Sequence, residues 1–168
     1  MRQVVPYCPV SQQPNPEFLK RAIQLATENV LSGGGGPFAA LVVKDGAIIS
    51  EAVNTVFTTN DPTAPGEVNA IRKACAALDV FSLRGCEIYT SSEPCPMCLA
   101  AIYWAHLDAI YFGNSCEDAS RAGFDDIFLY KQLALDRDAR SIPSQQLLQE
   151  QAAESFRLWE QSPNKMAY

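Results

Sequence analysis

Apolar positions alternate between two periods along the chain, and the switches mark its elements. Phe18, Leu19, Ala22, Ile23, Ala26 and Val30 keep a helical spacing. Asn15 precedes them as an N-cap with Pro16 at the first helical position, so a helix is predicted that ends before Ser32. Gly33 to Gly36 break the chain. Phe38 to Lys44 and Ala47 to Asn54 then read as strands joined at Asp45-Gly46, a hairpin turn signal. After a polar loop with Asp61 and Pro62, Val68, Ile71, Ala74, Cys75 and Leu78 predict a second helix from about Pro65 to Asp79. Glu87 to Thr90 reads as a strand, Pro96 to His106 as a helix opened by a proline, and Ala109 to Gly113 as a strand. A strand, helix, strand order implies a parallel pair with a right-handed crossover. Helices are predicted over Asp125 to Leu135 and Gln149 to Gln161. The fold class that follows is α/β, a three-layer α/β/α sandwich whose mixed central sheet begins with a hairpin.

Length and composition narrow the picture. A chain of 168 residues and 18.4 kDa is one ordinary domain, and 48% hydrophobic against 19% charged residues is the balance of a compact protein. We expect a loosely attached arm over residues 1–14, rich in Pro and Gln, and a single domain over 15–168. Pro37 to Val43 and Leu99 to Ala105 are the longest apolar stretches, far short of the roughly 20 residues of a membrane span. Met1 to Gln13 contains no apolar block of a secretory signal, which predicts a cytoplasmic protein without membrane partners. The formal charge of −6 opposes a nucleic-acid polymer as partner, because phosphate binding draws on Lys and Arg. A small neutral ligand fits better.

The candidate chemistry lies in Pro94-Cys95-Pro96-Met97-Cys98, where two thiols three residues apart meet as a loop enters a helix. Such a pair serves a metal, a redox cycle or simple packing, and the spacing by itself leaves all three open. Its setting favours metal. Zinc nucleobase deaminases carry His-x-Glu on one helix and Pro-Cys-x-x-Cys at the start of a later one. Glu67, 28 residues before Cys95 and at the start of the second predicted helix, has the place of the proton-carrying glutamate.

The chain resembles the cytidine deaminase superfamily, and within it the bacterial guanine deaminases, from Phe18 to Tyr168. The resemblance is carried by Gly36-Pro37-Phe38, Val43-Lys44-Asp45-Gly46, Asn60-Asp61-Pro62-Thr63-Ala64, Ala70-Ile71-Arg72-Lys73-Ala74-Cys75, Glu93 to Leu99, Ala101-Ile102-Tyr103-Trp104-Ala105 and Ala122-Gly123-Phe124-Asp125-Asp126. It implies zinc-dependent hydrolysis of guanine to xanthine and ammonia. Glu67 would move protons, Asn54, Phe38 and Asp126 would bind the purine, and Cys95 and Cys98 would hold zinc. Tyr168 would close the pocket from the other subunit of a domain-swapped homodimer. Without the resemblance, Asn54 also reads as a turn residue, Phe38 as core, and Asp125 or Asp126 as a helix cap.

One position departs from the family. Where it reads Ala-His-Ala-Glu, this chain has Ala64-Pro65-Gly66-Glu67. Proline has no side-chain donor, so two of three protein ligands remain and zinc is expected at reduced or no occupancy. His106, the single histidine, lies about 12 Å further along the predicted helix than Cys98 at roughly 1.5 Å per residue, too far to complete the set. Zinc lowers the pKa of bound water from about 15.7 to about 7, which bounds the loss at about 12 kcal/mol of activation of the nucleophile.

Overall fold

The computed structural model describes residues 13–166. Most of the expected arm, Cys8 and Tyr168 lie outside them. Helix α1 spans Pro16–Leu31, β1 Ala39–Lys44, β2 Ala47–Val53, α2 Val56–Thr59, α3 Gly66–Leu78 and β3 Cys86–Ser92. Then follow α4 Pro96–Trp104, β4 Ala109–Asn114, α5 Cys116–Arg121, α6 Asp126–Ala134 and α7 Gln149–Gln161.

The sheet order is β2-β1-β3-β4. β1 pairs antiparallel with both β2 and β3, and β3 pairs parallel with β4 across the α4 crossover, so the sheet is mixed. Strand β1 is an unbroken apolar run from Ala39 to Val43 because both of its faces are covered. Ala40 and Val42 pack with Ala70, Ile71 and Ala74 of α3 and Ile102 of α4. Leu41 and Val43 turn the other way, onto Ala22, Phe18 and Leu19 of α1. Each fully buried Val, Leu or Ile side chain among them contributes about 1.5–3 kcal/mol by leaving water, and the alanines let the layers approach closely on the one strand.

Asn15 caps α1 through the Glu17 N–H at 3.0 Å, as the Asn-Pro pair predicts. Two short helices were not legible as such. α2 lies within the expected polar loop, and α5 begins at a reciprocal capping box of Ser115 and Asp118. No helix among the described residues is long and apolar enough to cross a membrane.

Candidate active site

Three helix starts converge on one cavity of about 470 Å³. Glu67 enters from the first turn of α3, Cys95 and Cys98 from the first turn of α4, and Asp126 from the first residue of α6. Phe38, just before β1, and Asn54, just after β2, complete the wall. The cavity therefore gathers every site residue expected from the sequence that lies within the described chain. Pro65 lines it too.

Glu67 is only 4% exposed. Its Oε1 accepts from Thr90 Oγ1 at 3.1 Å, and its Oε2 accepts from Cys98 Sγ at 3.5 Å. Burial pushes its carboxyl above the ordinary glutamate range, against opposing hydrogen bonds from its own backbone N–H, Thr90 and Cys98. A carboxyl so placed, with its protonated form favoured by burial, is suited to holding and passing on a proton. Thr90 was not anticipated, although alternation along β3 points to it. Ile88 packs toward α3, so Thr90, two residues on, faces the same helix.

Cys95 is the N-cap of α4, and its sulfur accepts the Cys98 N–H at 3.4 Å. The two Sγ atoms lie 2.9 Å apart. Contact with Cys98 lowers the Cys95 pKa, while the contact with Cys95 and then burial raise the pKa of Cys98. Pro65 is the N-cap of α3 and makes no side-chain cap bond. Pro65 has no donor atom to add to the two thiols, and Glu67 could complete a set of three only by giving up its part as proton carrier, so the donor set does not fit a tetrahedral zinc site of three protein ligands and a water with that glutamate left free. His106 lies beyond the far end of α4, with Nδ1 3.4 Å from Ser82 Oγ. Cys116 is buried at the start of α5, its thiol pushed up to about 12 chiefly by desolvation.

Asp125 and Asp126 divide their duties. Asp125 caps α6, accepting the Phe128 N–H at 3.0 Å, which leaves the Asp126 carboxyl to the cavity. Burial, then Asp125 and Glu93, raise the Asp126 pKa. Glu93 also lines the cavity, its Oε2 held by the Cys116 N–H at 2.9 Å. Asn54 Oδ1 accepts the Val56 N–H at 3.1 Å, so its amide NH2 is the part left to meet a ligand. Both readings of Asn54, turn former and pocket residue, describe its position. Phe38 packs edge-on against Phe124 with ring centres 4.7 Å apart.

Behind this wall stand two asparagines that sequence patterning did not single out. Asn29, buried in the last turn of α1, donates to the carbonyls of Gly36 and Asn54, both at 3.0 Å. Its packing explains the glycine run, since a Cβ at Gly34 would lie 2.5 Å from Asn29 Oδ1 and one at Gly35 2.7 Å from the Asn54 carbonyl. Asn69 Nδ2 reaches the carbonyls of Val53 and Ala64 and the Thr55 hydroxyl at 3.0–3.1 Å. These contacts tie the loop before α3 to the end of β2.

Residues 12–114 match the cytidine and deoxycytidylate deaminase zinc-binding region. A guanine deaminase of Bacillus subtilis (strain 168) is 51% identical over 151 residues, which is 90% of this chain and 97% of that protein. The X-ray structure of guanine deaminase from Bacillus subtilis superposes with a TM-score of 0.89 at 49% identity, covering 93% of this chain and 99% of that one. A tRNA-specific adenosine deaminase of Aquifex aeolicus (strain VF5) is 39% identical over 66% of this chain and 72% of its own length. With the hairpin-led mixed sheet, the buried glutamate at the head of α3 and the thiol pair at the head of α4, these similarities place the chain in the cytidine and deoxycytidylate deaminase family.

Proposed function

We propose that the protein binds a purine base of the guanine type in this cavity and, as written, does not sustain zinc-dependent hydrolysis of it. The observation that carries the reading is the composition of one wall: Glu67, Asn54, Asp126 and Phe38 share a cavity with two thiols, and Pro65 supplies no third donor. Similarity to guanine deaminase over nearly the whole chain supports the choice of base.

The chemistry of the wall suits that ligand. Guanine presents N–H donors along one edge, and carboxylates accept without donating, so Asp126 is matched to that edge. The Asn54 amide NH2 is the complementary donor for a carbonyl or ring nitrogen of the base. Phe38 offers an aromatic face or edge to a flat ring. Glu67 is placed to hold a proton beside the base, but a buried carboxyl alone does not create the nucleophile that hydrolysis requires.

We further propose a homodimer as the working unit, with Tyr168 from the exchanged C-terminal segment closing the pocket, and a small-molecule purine, not a nucleic-acid polymer, as ligand. Zinc, the family's cofactor, is held at well under one ion per chain. Equilibrium dialysis with labelled guanine, followed by assay of xanthine and ammonia in the same sample, tests the reading. It predicts saturable binding that Asp126→Ala abolishes and no product. Turnover would refute the loss of catalysis, and absence of binding would refute the ligand.

A further inference from the structure

The helix that presents Asp126 is only loosely built into the body of the protein. α6 has no buried residue, and the Asp125 carboxyl is taken up in capping the helix itself. No hydrogen bond among the described residues fixes the Asp126 carboxyl, so its place in the cavity is the place of α6. Phe124, edge-on to Phe38, steadies the chain just before the helix. A second hold comes from Tyr130, which is half-buried and donates its hydroxyl to the Pro94 carbonyl at 2.8 Å. Among the described residues this is the one hydrogen bond that joins α6 to the elements before it. Residues four apart share a helix face, so the Tyr130 phenol and the Asp126 carboxyl leave α6 on the same side. Burial above all pushes the phenol up to about 12, so the hydroxyl keeps the proton it donates.

We propose that Tyr130 is a positioning residue for base recognition: by holding the Pro94 carbonyl it fixes the rotation of α6 and with it the point where the Asp126 carboxylate meets the donor edge of a purine. The inference rests on the reading of the cavity as a purine site. Tyr130 stands behind the wall and does not line the cavity, so it acts through Asp126. The carbonyl it reaches is itself pinned. Next to Pro94, the Glu93 N–H donates to the Asn114 carbonyl at 2.8 Å, and Glu93 Oε2 accepts the Cys116 N–H at 2.9 Å. Guanine offers a carboxylate two neighbouring donors, the ring N1–H and the 2-amino N–H, and two parallel hydrogen bonds tolerate little displacement. A base with N1–H alone makes a single bond there, which side-chain rotation preserves when the helix shifts. The Tyr130 hydroxyl therefore matters for preference between bases more than for binding as such.

The test is equilibrium dialysis of the full chain and of Tyr130→Phe, which keeps the ring and loses the hydroxyl, against guanine and against hypoxanthine, which lacks the 2-amino group. The parent is expected to bind guanine more tightly than hypoxanthine. In Tyr130→Phe the guanine Kd rises at least about tenfold and the hypoxanthine Kd less than about threefold, so the preference shrinks. The ratio of the two Kd values does not depend on how much of the protein is folded, so a variant that is merely less stable leaves it where it was. An unchanged guanine Kd, or equal losses for the two bases, overturns the inference and leaves the purine reading intact. A parent that binds both bases alike overturns it as well. A parent that binds neither base overturns the purine reading itself.

Discussion

Gly66 decides how the head of α3 tolerates repair. Restoring the family's His-Ala would place a Cβ at residue 66 only 2.9 Å from Ala39 Cα and 3.2 Å from its carbonyl carbon. Helix propensity argues for alanine by about 1 kcal/mol, but crowding against strand backbone costs about 1–3 kcal/mol, so packing wins. Pro65→His alone is therefore expected to recover zinc binding, and adding Gly66→Ala to lower the thermal midpoint relative to that single variant. A double variant more stable than the single one would contradict this. The aspartate pair gives a second residue-scale expectation. Asp125→Ala removes the α6 cap and costs about 0.5–2 kcal/mol in denaturant unfolding while guanine binding persists. Asp126→Ala does the reverse, leaving stability within about 0.5 kcal/mol and removing binding. Which of the two caps was undecided in the sequence, because either side chain suits that position; backbone geometry assigns it to Asp125.

At the scale of elements, periodicity was informative wherever a segment packs on one or two faces. The α1 register, the Asp45-Gly46 hairpin, α3 and the β3-α4-β4 crossover all follow from apolar spacing together with Pro, Asn and Gly punctuation. Short α2 and α5 escaped because their folding rests on local caps and on neighbours, not on an apolar stripe. Thr90, Asn29 and Asn69 escaped for a related reason: single polar residues acquire meaning from what tertiary contact brings to them. Asn29→Ala would remove the side-chain donor to the Asn54 carbonyl and leave the Gly36 carbonyl with the Phe38 N–H. We expect a loss of about 1–3 kcal/mol and weaker purine binding, read by unfolding and dialysis together. One ion pair also joins elements. Arg21 of α1 grips Glu51 of β2 through Nε–Oε1 at 2.9 Å and Nη2–Oε2 at 2.7 Å. Its hydrogen bonds hold the Glu51 carboxyl below the ordinary range. A depressed carboxyl stabilises the fold above the unfolded glutamate pKa, and that contribution is lost as pH falls through the folded value. With both side chains about a third exposed, the pair is worth about 0.2–1 kcal/mol after solvent screening. Arg21→Met should lose about that much at neutral pH, the gap from the parent closing in acid. A gap that widens in acid would contradict the assignment.

For the whole molecule, the C-terminal helix stands out. α7 has no buried residue, and Phe156 and Trp159 on it are 72% and 46% exposed. A helix that covers no core in its own chain is consistent with the proposed exchange between subunits, and sedimentation of the full chain is expected to give twice 18.4 kDa. Phe156→Ser with Trp159→Ser should shift the protein toward monomer. The central claim, that an intact purine cavity has lost its hold on zinc because proline replaced an imidazole, is tested most directly by elemental analysis of the purified protein alongside a guanine assay. The account predicts well under one zinc per chain and no xanthine. One zinc per chain with steady release of ammonia would contradict it.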